Sequence, residues 1–292
     1  MHNTITRRAF LRSAAAAGVS AAVGAASARA TPPNRDIWPM YTFDYGLRSV
    51  PAIEDKVKLL KDLGFAGVEL HLHHVPLETW LAALDKYGLA LNGVYTKRWI
   101  EKPMDPKLPA AVRRMEGRPT RIEVILESKT YKTPSDPAGD AKALDLLKRA
   151  SDLCADTGPV VSIYPHRRSW AERVEDGVRL ARKCGRENVG TSFNLIHWHS
   201  VRQTRPLAVS LKEAAPHLLS MTINNGNRAK HTITPLDEGD YDLVGFLRTV
   251  RDVGYTGQMG LQCWGIKAPA EDHLARSMKR WRAIRREVLN KA

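Results

Sequence analysis

Two histidines, His166 and His197, each follow a short apolar strand candidate within three residues, so both should point into one pocket. Imidazole is the side chain that changes charge nearest neutral pH, which makes such a pair suited to moving protons. Glu69, in "GVELHLHH", completes an acid/base set with them, and Lys97, in "VYTKRW", supplies a cation that can polarise an oxygen. Asn194, in "VGTSFNLIHWH", joins Tyr164, Asn224 and Gln262 as uncharged groups able to donate and accept hydrogen bonds with hydroxyls. The chemistry this set fits is general acid/base transfer of a proton. Glu69 and His166 would share the acid/base work, while Lys97 or His197 polarises the oxygen. His73, His74 and His199 read as structural hydrogen bonders.

These side chains converge only if the fold gathers strand ends. Strand candidates are 37–43, 67–72, 91–96, 121–127, 160–164, 189–194, 219–224 and 259–263. Between them lie segments with apolar residues at helical spacing, among them "IEDKVKLLKDLG", "LETWLAALDKYG", "WAERVEDGVRLARKCG" and "YDLVGFLRTVRDVG", and a last helix is expected from Glu271 to Leu289. Most of these segments end in Gly, which tolerates the left-handed position that stops a helix. Short strands alternating with helices predict parallel pairing, and eight units in about 250 residues predict an α/β fold with a single closed (β/α)8 TIM barrel. No Gly-rich dinucleotide fingerprint follows the first strand, which argues against an open doubly wound sheet. A barrel of this kind builds its site from the C-terminal strand ends. That rule adds His71, Tyr95, Glu127 and Asn225 to the candidates and places "SKTYKTPSDPAGD", after the fourth strand, over the mouth.

The first thirty residues stand apart. "TITRRAFLRSAAAAGVSAAVGAASARA" has paired Arg7 and Arg8 beside Phe10 and Leu11, a weakly apolar Ala-rich middle and Ala28-Arg29-Ala30 as a cleavage pattern. This resembles a twin-arginine export signal, so residues 1–30 are expected to be removed, leaving a barrel domain of residues 31–292 in the periplasm. No later apolar run is long enough to anchor in a membrane. The chain carries a formal net charge of +14, and losing the four arginines of the signal leaves +10. Nothing interleaves aromatics with Lys and Arg as a nucleic-acid platform would, so no nucleic-acid partner is expected. The three cysteines, Cys154, Cys184 and Cys263, form neither a disulfide framework nor a zinc pattern and read as buried thiols.

Three stretches, "KLLKDLGFAGVELHL", "YPHRRSWAERVEDGVRLARKCGRENVGTSFNLIHW" and "PLDEGDYDLVGFLRTVRDVGYTGQMGLQCWGI", resemble the xylose-isomerase-like TIM-barrel family of sugar phosphate isomerases and epimerases, in particular its exported branch. The resemblance implies a small-molecule sugar as partner. In metal-dependent members, Glu, Asp, His and Glu at the ends of strands five to eight bind a divalent ion. Here Tyr164, Asn194, Thr222 or Asn224, and Gln262 stand at those places. Amides and a phenol suit hydroxyls better than a hard cation, so no cofactor is expected. The other arrangement left open is a relocated manganese or zinc site made of His166, His197 and Glu69. Trp99, Trp170, Trp198 and Trp264 fall in or beside strand-end loops, where a flat face could meet a pyranose; Trp264 is taken as a substrate contact. The activity the resemblance implies is isomerisation, epimerisation or a related elimination on a sugar or keto-sugar, begun by removing a proton beside a carbonyl. The competing reading is a non-catalytic carbohydrate-binding barrel, and a DNA-repair endonuclease on the same fold is disfavoured by export and by the missing metal cluster.

Overall fold

The computed structural model describes residues 37–203 and 205–290. The proposed export signal lies outside the described residues. In chain order the elements are β1 (Met40–Phe43), α1 (Ile53–Leu63), β2 (Gly67–His71), α2 (Leu77–Tyr87), β3 (Ala90–Trp99), α3 (Leu108–Arg114), β4 (Arg121–Glu127) and α4 (Asp140–Cys154). There follow β5 (Val160–Ile163), α5 (Val174–Cys184), β6 (Val189–Asn194), α6 (Leu195–Ser200), α7 (Leu207–Ala214), β7 (Leu218–Ile223), β8 (Asn225–Asn227), β9 (Thr232–Thr234), α8 (Leu243–Asp252), β10 (Met259–Leu261) and α9 (Ala270–Asn290). Eight strands close a parallel barrel in the order β1-β10-β7-β6-β5-β4-β3-β2. Each strand candidate coincides with a barrel strand to within a few residues.

The helices form where the apolar spacing places them. In α1, Val57 and Leu60 are buried one turn apart while Glu54, Asp55, Lys58, Lys61 and Asp62 face water. Gly88, at φ +64°, ends α2 by taking the left-handed conformation that costs other residues energy. Cys154, Cys184 and Cys263 are all buried free thiols.

Inside the barrel, the two-residue period of a strand sorts side chains into layers. On β4, Ile122, Val124 and Leu126 join the apolar shell under the helices, whereas Arg121 and Glu123 point inward. Gly93 on β3 lies in register with both Glu69 on β2 and Arg121 on β4. A Cβ at Gly93 would come 3.1 Å from the Glu69 carboxyl, so the glycine leaves room for a buried charge cluster. Arg121 donates from Nη2 to Glu69 Oε2 at 2.9 Å and from Nε to Glu123 Oε1 at 3.1 Å, and also donates to Gln258. Burial, followed by the nearby Glu123, pushes the Glu69 carboxyl well above the usual carboxylate range. Glu69 Oε1 and Glu123 Oε2 are both buried without a partner among the described donors. A proton on Glu69 lowers the negative charge that the single guanidinium has to balance.

Two elements were not foreseen. The segment "LIHWHS" is a short helix, α6, and the connection after β7 carries an antiparallel hairpin, β8–β9, with Gly226 opposite Ile233. The hairpin, rather than the long segment after β4, reaches the mouth of the barrel: His231 and Ile233 line the cavity there and no residue of 128–140 does.

Candidate active site

A cavity of about 820 Å³ opens at the C-terminal ends of the barrel strands. Lys97, Tyr164, His166, His197, Gln262 and Trp264 all line it. The inward row of each strand explains the convergence, since Tyr95 and Lys97 lie one and two steps above Gly93, and Tyr164 and His166 continue the row of Ser162.

Three expected contacts do not reach the cavity. Glu69 is 0% exposed and belongs to the layer beneath, because β2 runs on to His71 and puts His71, not Glu69, at the rim. Its pairing with Arg121 also removes it from a relocated metal site with His166 and His197. Asn224 is fully buried and turns back to donate to the Asn225 carbonyl at 2.9 Å. Asn194 is the N-cap of α6: its Oδ1 accepts from the His197 backbone N–H at 3.4 Å, and its Nδ2 donates to Tyr164 Oη. Of the tryptophans, Trp170 is completely buried, Trp198 packs on Phe193 with ring centroids 5.8 Å apart, and Trp99 lies under Lys129. Trp264 is 56% exposed at the mouth, with the Arg48 guanidinium 4.8 Å from its ring and Tyr45 edge-on at 5.3 Å.

His166 and His197 are neighbours, with ring centroids 4.0 Å apart. His166 Nδ1 donates to the Arg167 carbonyl at 2.8 Å, and a carbonyl can only accept, so the proton sits on Nδ1 and Nε2 keeps its lone pair. Burial lowers the His166 pKa and lowers that of His197 well below the ordinary value, which keeps both rings neutral. Lys97 is 2.7 Å from Glu127, whose Oε1 also accepts from Ser169 Oγ at 2.9 Å, so the ammonium is held at the wall.

The carboxylate that faces the cavity is Asp44, directly after β1. Among the described residues it is the one Asp or Glu that lines the cavity, and it accepts from the His71 backbone N–H and from Tyr95 Oη, each at 3.3 Å. Burial raises its pKa despite those bonds. Strands β1 and β5 are four places apart in the ring of eight, so Asp44 and His166 approach the cavity from opposite walls. The signal for Asp44 was present in "TFDYG", where a carboxylate directly follows the first strand candidate. His231 carried no such signal, since it lies in the turn of the β8–β9 hairpin and not at the end of a barrel strand.

The strand-end amides and phenol are tied to one another. Gln262 Nε2 donates to Tyr164 Oη at 3.3 Å, and Tyr45 donates to Gln262 Oε1. This donor set does not fit a hard divalent ion, because the amide nitrogens face the phenol and Gln262 Oε1 already accepts. Among the described residues no group of three or more His, Cys, Asp or Glu side chains is placed to hold a metal.

A family model described as xylose isomerase-like TIM barrel matches residues 57–284, and the chain belongs to that family. Among solved structures it is similar to 3-keto-D-glucoside 4-epimerase from E. coli, at 17% identity and TM-score 0.68, covering 85% of this chain and 99% of the other. It is also similar to D-allulose 3-epimerase from Methylomonas sp. in complex with D-allulose, at 14% identity and TM-score 0.67, covering 86% and 98%. A third is the IOLI protein with a binding zinc atom, at 13% identity and TM-score 0.70, covering 86% and 99%. No curated protein matches the chain.

Proposed function

We propose that the protein is an exported enzyme that isomerises, epimerises or eliminates across a sugar or keto-sugar by removing a proton next to a carbonyl, at a metal site degenerate relative to its family. The observation that carries this reading is the pairing of His166, with its Nε2 lone pair available, and Asp44, with its raised pKa, on opposite walls of one cavity. A base on one face and an acid on the other is the arrangement that inversion at carbon requires. His166 Nε2 takes the proton, the C–H electron pair moves toward the carbonyl, and Asp44 serves the opposite face. His197 packs beside His166, Lys97 adds positive potential, and Gln262 and Trp264 bind the sugar. Similarity in fold to two sugar epimerases supports the substrate class. No step runs through a metal, because the amide and phenol donors do not suit one.

The test is deuterium wash-in from D2O into a panel of 2-keto and 3-keto sugars, followed by NMR. Exchange at the carbon beside the carbonyl, lost in His166→Gln, is expected. Thermal stabilisation by these sugars without any exchange would establish the carbohydrate-binding barrel instead. Export is supported by the Arg7-Arg8 signal pattern. Replacing both arginines by lysine should leave precursor in the cytoplasm, and undiminished periplasmic yield would remove the assignment.

A further inference from the structure

We propose that Tyr164 donates its phenolic hydrogen to the substrate oxygen that becomes negative during proton abstraction, and that Asn194 and Gln262 act as positioning residues for it. This rests on the carbonyl chemistry proposed above and names the group that meets the developing charge.

The orientation of both amides is decided by backbone donors. The His197 N–H can only donate and faces Asn194 Oδ1 at 3.4 Å, so the Asn194 NH2 must face the other way, toward Tyr164 Oη. The Trp264 N–H faces Gln262 Oε1 at 3.4 Å and Tyr45 donates to the same oxygen, so the Gln262 NH2 also turns to Tyr164 Oη, at 3.3 Å. Tyr164 Oη therefore accepts two N–H groups. Its own hydrogen has no acceptor in either amide, and no other described group accepts from it, which leaves the direction of the cavity that Tyr164 lines. Burial holds the phenol protonated, and two donors on its oxygen strengthen the O–H as a donor.

This accounts for amides where acids would preserve the same shape. An Asp at 194 or a Glu at 262 would accept the phenolic hydrogen and turn it away from the substrate. In the reaction the base takes the proton from carbon, the C–H pair becomes the C=C bond and the carbonyl π pair moves to oxygen. Tyr164 hydrogen-bonds that oxygen throughout, and returning the proton to carbon reverses each shift.

Neutron diffraction from hydrogen–deuterium-exchanged crystals of the ligand-free protein should place the Tyr164 deuteron toward the cavity with both ND2 groups aimed at Oη. A deuteron directed at Asn194 Oδ1 or Gln262 Oε1 overturns the proposal. In the exchange assay, Tyr164→Phe should lower kcat by about 10²–10³-fold with KM changed less than about threefold. Asn194→Asp keeps the helix cap and side-chain shape, so a structural role predicts no loss; the donor role predicts a similar loss of kcat, not additive with Tyr164→Phe. Wild-type kcat in either variant overturns the proposal. A cavity-facing deuteron in a protein that exchanges no keto-sugar refutes the reaction and upholds the donor.

Discussion

At the scale of single residues, the acid/base assignment turns on which carboxyl reaches the substrate. Asp44 lines the cavity and Glu69 does not: Asp44 follows β1, whereas Glu69 lies in the middle of β2. Asp44→Asn and His166→Gln should each cut the exchange rate by about 10²–10⁴-fold, as loss of a general acid or base does. Glu69→Gln should leave kcat unchanged and cost less than about 1 kcal/mol, since the raised carboxyl already carries a proton that the amide imitates. A large loss of kcat in folded Glu69→Gln would return Glu69 to the chemistry. Denaturant melts beside steady-state rates separate these outcomes.

At the scale of elements, α6 and the inward layer of β2, β3 and β4 set where the site can lie. Asn194 caps α6 and steadies Tyr164, so Asn194→Ala should lower stability by about 0.5–2 kcal/mol, whereas Asn194→Asp should keep the cap. Below the cavity, Arg121 ties β4 to β2 through Glu69 and pairs with Glu123 on its own strand. Arg121→Met leaves carboxyls buried without their cation and should cost about 3–5 kcal/mol. If urea denaturation gave a variant as stable as the native chain, the cluster would not be holding the barrel floor. Adding Glu69→Gln to that variant should recover part of the loss, because one buried acid is then gone.

At the scale of the whole molecule, burial makes stability depend on pH in opposite directions. His71 and His199 are pushed down to about 4, and His166 and His197 are lowered as well, each chiefly by burial. The unfolded chain binds these protons near the ordinary value of 6.5, so the stability these histidines contribute is present above 6.5 and is lost as pH falls toward their folded values. Glu69, raised well above its ordinary 4.5, has the reverse sign: its contribution is full below 4.5 and is lost as pH rises through its folded value. His197→Gln should therefore flatten the fall in stability below pH 6.5 by up to about 1.4 kcal/mol per pH unit, while Glu69→Gln steepens it. Parallel stability–pH profiles for the two variants and the native protein would contradict this.

Sequence alone determined the barrel. Apolar periods of two and of about 3.6 are local properties, and the eight strand candidates match the eight barrel strands because each unit buries its own stripe. It also determined that polar side chains gather at one end, since strands that run parallel put their C-termini together. Depth was not local. Whether Glu69 or His71 meets the cavity depends on how far β2 extends and on Gly93 of the next strand, and whether Asn194 meets the substrate depends on a helix that starts there. The opposition of Asp44 to His166 across the ring comes from ring closure between residues far apart in the chain, and the local β8–β9 hairpin brings His231 to the mouth only because the barrel carries its base at the end of β7. Tertiary structure alone decided these, because a side chain's reach into a cavity is set by its neighbours on other strands and not by its own position in the chain.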